Sequence, residues 1–318
     1  MWKKLNWSTC YNLGLEVLWG IEVYLNALQH QEGHGFAHPH FPKVLATTSE
    51  LESLLDSDVV VVEVDIDPEA YDFGHVPGAI KWDWSNDLRN PETQEVISEE
   101  QFQALMVRSG ISNDTPVILY GDNNGWFACW AYWVMKSFGH ESVRMLDGGA
   151  NKWFNEQRPL SEDEVNRTPS EYRVSPIDRT FQASSSDVLK AIFDQEAHRI
   201  LDVRSKAEYR GELLGPGVGM PETCAVGGHV PSALSIPWND NCRADGTFKC
   251  PNELRAMYQD AGVTEEHSII TYCAIGERAS LSWFVLHELL GYDVKNFDRS
   301  MSFWSRLPNA PVVQGEAA

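Results

Sequence analysis

The same order of features runs through this chain twice, and the duplication limits its possible folds more than any other property. Arg199-Ile200-Leu201-Asp202-Val203 echoes the β-branched run Val59 to Val64, and His229-Val230-Pro231-Ser232-Ala233 echoes His75-Val76-Pro77-Gly78-Ala79. Ile269 to Tyr272 echoes Val117 to Tyr120, and Trp304 answers Trp153 near the end of each copy. Self-similarity over a whole domain length means two copies of one architecture. Within a copy, short apolar runs alternate with amphipathic stretches, which predicts a parallel sheet covered by helices on both faces. In the first copy the predicted strands include Pro116 to Tyr120 and Val143 to Leu146. Ser98-Glu99-Glu100-Gln101 has the form of a capping box opening a helix that ends near Gly110, and Phe127 to Phe138 reads as another helix.

At 318 residues the chain has room for two cores. The expected division is an N-terminal extension at 1–42, a first domain at 43–160, a linker at 161–175 rich in Glu, Ser, Thr and Pro, and a second domain at 176–318. In the extension, Leu13, Val17, Leu18, Ile21, Tyr24, Leu25 and Leu28 recur at helical spacing, so an amphipathic helix is expected there. His30, His34, His38 and His40 follow in a polar stretch punctuated by Gly and Pro, which reads as a linker before it reads as a metal site.

Duplication separates scaffold from function, because features in both copies serve the fold and features in one copy are candidates for chemistry. His75 and His229 are therefore expected to be structural, although a Cys–His dyad with Cys273 would be chemically attractive. The second copy alone carries Tyr272-Cys273-Ala274-Ile275-Gly276-Glu277-Arg278-Ala279-Ser280, between an apolar strand and an amphipathic stretch closed by Gly291. Backbone N–H groups at a helix start, curled around a short glycine-containing loop, form a concave site that favours anions, and a thiolate there is a nucleophile. An isolated cysteine in a strand-to-helix turn is ordinarily a packing residue. Gly276 and Arg278 at close spacing argue for the nucleophile. In the same place the first copy has Asp122-Asn123-Asn124-Gly125-Trp126, without a nucleophile or an arginine, so it is expected to be chemically silent and to shape a cleft with the second copy.

Two further differences mark the second copy. Glu63-Val64-Asp65 becomes Asp202-Val203-Arg204, which puts a cation at a strand end, where it either faces the loop or pairs with Asp202. Tyr71 and His75 are four positions apart, whereas Tyr209 and His229 are twenty apart. The inserted segment 211–228 contains Gly215-Pro216-Gly217-Val218-Gly219, lacks the Lys-Ser/Thr of a phosphate loop, and reads as a lid over the cleft or as a solvated insertion.

The strand-loop-helix with Cys-x-x-Gly-x-Arg resembles the active-site loop of the rhodanese family, specifically the tandem-domain thiosulfate sulfurtransferases, and the likeness extends over roughly Lys43 to Pro308. The resemblance implies two tandem rhodanese-like domains. It implies that Cys273 carries a persulfide, and that Arg278 with the backbone of Ala274, Ile275, Gly276, Glu277, Ala279 and Ser280 binds the donor, with Arg204 as a further candidate. Donor and acceptor would be a small anionic sulfur compound, thiosulfate, and a thiophile such as cyanide or a thiol, with neither cofactor nor metal. Ala274 departs from the basic residue that often follows the cysteine, and Asp298-Arg299-Ser300-Met301 departs from Asp-Gly-Ser-Trp. A transferase using 3-mercaptopyruvate is the alternative within the family, with Arg204, Arg210 or Arg299 as its carboxylate partner. Cys-x5-Arg phosphatases and arsenate reductases have a longer ring, and a noncatalytic rhodanese-type binding module would not need both Cys273 and Arg278.

A formal net charge of −21 argues against nucleic acid and anionic membrane surfaces as partners and opposes the approach of an anionic substrate. The six cysteines, Cys10, Cys129, Cys224, Cys242, Cys250 and Cys273, show no paired spacing. Free thiols in a reducing, cytoplasmic setting are expected. Cys224, Cys242 and Cys250 lack the second close pair of a zinc site. No apolar run is long enough to span a bilayer, and the N-terminus does not resemble a secretory signal. The sequence leaves the oligomeric state open.

Overall fold

The structure, a computed structural model, describes residues 43–217 and 223–316. The expected amphipathic helix and histidine cluster of the extension, Cys10, and the middle of the 211–228 insertion lie outside the described residues.

The first copy forms a parallel sheet ordered β1-β5-β4-β2-β3, built from β1 (Leu45–Ala46), β2 (Val60–Glu63), β3 (Ile80–Lys81), β4 (Val117–Tyr120) and β5 (Val143–Leu146). Alternate residues of β2 serve opposite faces, as strand geometry requires. Val60 and Val62 pack with Phe102, Leu105 and Met106 of α2 (Glu99–Arg108) and with α3 (Trp126–Ser137). Val61 packs on the other face with Leu51 of α1 (Thr48–Leu54) and Trp153 of α4 (Gly149–Asn155). All four β2 residues are buried, which suits the β-branched run Val60 to Val62. Ser98 caps α2 with the expected box: its Oγ takes the Gln101 N–H, and Gln101 Oε1 takes the Ser98 N–H at 2.9 Å.

The second copy repeats the plan with four parallel strands ordered β7-β6-β8-β9: β6 (His198–Asp202), β7 (Leu234–Ser235), β8 (Ser268–Tyr272) and β9 (Val294–Asn296). One face carries α5 (Ser185–Phe193) and α9 (Ser300–Trp304), and the other carries α7 (Pro251–Asp260) and α8 (Glu277–Phe284), which runs on into a π-helical turn, Val285–Leu289. The short α6 (Lys206–Arg210) follows β6.

The face bearing α3 and the face bearing α8 share one continuous core, so the copies join through these two buried helices. Tyr132 meets Phe284 edge-on at 4.9 Å between ring centroids, a contact worth about 0.5–1.5 kcal/mol beyond its buried area. Segment 161–175 is mostly exposed and runs along the first copy. Ser161 exchanges both backbone hydrogen bonds with His75, Ser170 N–H donates to Val107, and Tyr172 is buried against Phe102. No helix among the described residues is long and apolar enough to cross a membrane.

Candidate active site

β8 delivers Cys273 to the carboxyl end of the second sheet, where the chain turns through Ala274–Gly276 into α8. Gly276 makes the turn possible: its φ is +112°, and a Cβ there would stand 2.3 Å from the Asp298 carbonyl oxygen. The Cys273 side chain is buried, and its Sγ accepts the Gly276 N–H at 3.1 Å. Ser300 Oγ takes the Cys273 N–H at 3.0 Å and donates to Phe297 O at 2.8 Å.

The carbonyls of the loop all have partners. Cys273 O accepts from Met301 N at 3.1 Å, and Ala274 O accepts from Ser302 N at 2.8 Å. Ile275 O accepts from Arg89 Nη2 at 2.5 Å. Gly276 O takes Ser280 N–H at 3.1 Å, the first bond of α8, and also Asn296 Nδ2 at 3.3 Å. A trans peptide holds its C=O and N–H on opposite sides. Of the N–H groups in these four peptides, that of Gly276 reaches the sulfur. Ala279 and Ser280 are buried in the first turn of α8, with Ser280 Oγ donating to Gly276 O.

The arginines expected in the site have other partners. Arg278 grips buried Glu208 of α6 as a fork, Nη1 to Oε2 at 2.9 Å and Nη2 to Oε1 at 2.8 Å. Burial opposes ionisation of Glu208, but the hydrogen bonds and charge of Arg278, with the charge of Arg204, hold its carboxyl below the usual range. The cradle's cation is thus paired with an acid. Arg204 is paired as well. It is fully buried, holds Asp202 Oδ2 at 2.6 Å, and donates to the Gly228 carbonyl at 2.7 Å, so the ion-pair alternative applies. Arg210 pairs with Glu212 and Glu316 at the surface, and Arg299 reaches Glu95 of the first copy at 3.3 Å.

Glu277, for which the sequence offers no inward role, is buried and paired with Arg89 of the first copy at 2.6 Å. Arg89 is the residue that sequence reasoning missed. Counting from Trp84 and Trp238, it falls level with Arg243, and a feature present in both copies reads as scaffold. Arg243 instead pairs with Glu253 in an exposed position.

The histidines are structural in the same way in both copies. His75 Nδ1–H donates to Tyr71 O at 2.9 Å with the rings stacked 3.7 Å apart, and His229 does the same with Tyr209 O at 2.9 Å and a 3.6 Å stack. Where Asp202 has Arg204, the equivalent Glu63 has Asp65. Burial first, then the neighbouring Asp65, pushes the Glu63 carboxyl up, and burial with the charge of Asp65 pushes Asp122 up to about 6. A cavity of about 550 Å³ does lie between the copies, lined by Asn90, Glu95, Ser98, Arg179, Gln182 and Arg299, but Cys273 is not in its wall. Burial raises the thiols of Cys129, Cys224 and Cys242, the last to about 12. Cys250 starts α7, its N–H donating to Glu253 Oε2 at 2.9 Å.

Comparison with known proteins gives a consistent answer. The rhodanese-like domain family matches residues 47–156 and again 185–307. The chain is 46% identical over 286 residues to "Sulfur carrier protein TtuD" of Thermus thermophilus, covering 89% of this chain and 99% of that one. It is 45% identical over 274 residues to "Putative thiosulfate sulfurtransferase 1" of Mycobacterium bovis, covering 86% and 98%. Among solved structures, the anaerobic ergothioneine biosynthesis enzyme of Chlorobium limicola with trimethyl histidine shares the fold at a TM-score of 0.76 and 24% identity, over 86% of this chain and 70% of that one. Wild-type EanB shares it at 0.72 and 23%, over 92% and 68%. Matched by the family in both copies, and aligned along 99% and 98% of the Thermus and Mycobacterium relatives, the chain belongs to the rhodanese family of sulfurtransferases, with two rhodanese-like domains in tandem.

Proposed function

We propose that the protein moves sulfane sulfur from thiosulfate to a thiophilic acceptor through a persulfide on Cys273. The observation that carries this reading is the Gly276 N–H at 3.1 Å from Cys273 Sγ, in a loop whose carbonyls are held away from the sulfur. Preorganised N–H donors stabilise a thiolate before the reaction and the outer persulfide sulfur after it, without reorganising. The Cys273 thiolate attacks the outer sulfur of thiosulfate, the bond between the two sulfurs breaks, and sulfite leaves with the electron pair. An acceptor thiolate or cyanide then attacks the outer sulfur of the persulfide and returns Cys273 as thiolate. Two half-reactions sharing one covalent form require ping-pong kinetics.

The names of the relatives support thiosulfate as donor and a role in carrying sulfur. Neutralisation of Arg278 by Glu208 removes one reason for preferring a dianion, so the donor is tested directly. After thiosulfate treatment, intact mass should rise by one sulfur in the wild type and stay unchanged in Cys273→Ser; sulfur mapped to another cysteine would refute the assignment. Thiosulfate should exceed 3-mercaptopyruvate in kcat/KM with one acceptor at fixed ionic strength. A preference of about tenfold for mercaptopyruvate, roughly 1.4 kcal/mol, would reverse the donor.

A further inference from the structure

Arg89 comes from the first copy, the one without a nucleophile, yet its guanidinium lies in the loop of the second. The side chain is only 3% exposed. Its Cζ sits 4.9 Å from the Trp130 ring, Nη1 donates to Gln94 O at 2.6 Å, and Nη2 donates to both Ile275 O and Glu277 Oε1. Nε is buried without a partner. Burying a cation is costly unless it is paired and hydrogen-bonded, and Arg89 is both.

What this geometry does is fix one peptide. The Ile275 carbonyl and the Gly276 N–H belong to the same planar unit and point in opposite directions. Arg89 holds the carbonyl, and the N–H on the other side reaches Cys273 Sγ at 3.1 Å. Of the four loop carbonyls, those of Cys273, Ala274 and Gly276 are held by groups of the second copy, while Ile275 depends on the first. A cation on the carbonyl oxygen also polarises the peptide and strengthens its N–H as a donor. Because Glu277 neutralises Arg89, the guanidinium acts through orientation and not as a charge offered to the substrate.

We propose that Arg89 is a positioning residue for sulfur transfer: reaching across from the first domain, it locks the 275–276 peptide in the orientation that presents Gly276 N–H to the sulfur. The first domain is then part of the catalytic apparatus and not an inert copy. This inference rests on the proposed persulfide role of Cys273.

The test measures the rate of persulfide loading from saturating thiosulfate by quenched intact mass. Arg89→Ala should load about 100-fold more slowly, the loss that follows removal of one preorganised donor. Guanidinium chloride at millimolar concentration should restore part of that rate where sodium chloride does not, because guanidinium can re-enter the vacated space and bridge Ile275 O to Glu277. A role confined to folding gives no such specific rescue, so equal effects of the two salts overturn the proposal, as does a wild-type rate in Arg89→Ala. If Arg89→Ala does not fold, Arg89→Lys keeps the charge but not the fork and should still be slowed about tenfold, less than the roughly 100-fold that follows loss of a whole donor; a wild-type rate there overturns the proposal. If no sulfur donor loads the wild type, the functional reading fails instead. Alkylation of Cys273 by iodoacetamide at fixed pH then decides, with Arg89→Lys expected to react more slowly and equal rates overturning the proposal.

Discussion

At the residue scale the site is governed by which acid each arginine finds. Arg278 and Glu208 are both buried and meet through two parallel hydrogen bonds. Removing one partner strands the other's charge in a dry environment, so Arg278→Ala is expected to cost about 3–5 kcal/mol of stability. Arg278→Met combined with Glu208→Leu should recover most of that loss, because replacing both members of a buried pair by apolar groups is far cheaper than breaking it. Urea denaturation of the single and double variants measures this. An unchanged midpoint in Arg278→Ala would show that the pair contributes nothing and that the arginine is available to the substrate after all. Asp202 with Arg204 follows the same logic one strand away, and its guanidinium also closes the Gly228 carbonyl of the insertion.

At the scale of the element, the strand-to-helix loop is a device for turning carbonyls outward within a few residues. It needs Gly276 at a left-handed φ pressed against the Asp298 carbonyl, and it needs the start of α9, whose Met301 and Ser302 N–H groups close the other side. Gly276→Ala introduces both an unfavourable φ and a backbone clash, a strain of about 1–3 kcal/mol or more. The expected result is a lowered urea midpoint together with loss of sulfur loading. Full loading by this variant would mean that the loop tolerates another path and that the Gly276 N–H is dispensable. The equivalent loop of the first copy is built differently. Asn123, Asn124 and Gly125 all take positive φ, and the Asp122 carboxylate accepts the Ile66 N–H at 3.2 Å.

Across the whole molecule, the copies have opposite electrostatics at equivalent places. The second pairs its buried Asp202 and Glu208 with arginines, and the first leaves Glu63, Asp65 and Asp122 to share one region. Burial, with the charge of Asp65, lifts Asp122 from 3.8 to about 6. A carboxyl whose folded pKa is raised binds more protons in the folded state than in the unfolded one. Stability therefore falls as pH rises between those two values and levels off above the folded pKa. Asp147, also lifted by burial to about 6, acts in the same sense, while Glu208, held low, contributes stability that is lost as pH falls. Asp122→Asn keeps an acceptor for Ile66 and removes the titration. Its melting temperature should gain on the wild type progressively from pH about 4 to about 7. A constant difference across that range would refute the assignment.

The sequence by itself determined what local pattern can encode. Two copies of one α/β plan, the buried strands, the Ser98 capping box, the paired His-Val-Pro turns and the placement of Cys273 and Gly276 between β8 and α8 follow from periodicity, caps and repetition. These signals act over a few residues or recur at a fixed offset. The tertiary structure alone decided the charge partners. With 25 basic and 46 acidic side chains, spacing does not say which acid an arginine meets. Arg278 finds Glu208 seventy residues away, and Arg89 finds Glu277 at 188. Comparing the copies made the scaffold legible but concealed Arg89, whose counterpart Arg243 has the same place in the repeat and a different environment. Its role arises only where two similar domains meet face to face, because a buried pair is chosen by the packing that excludes water from it.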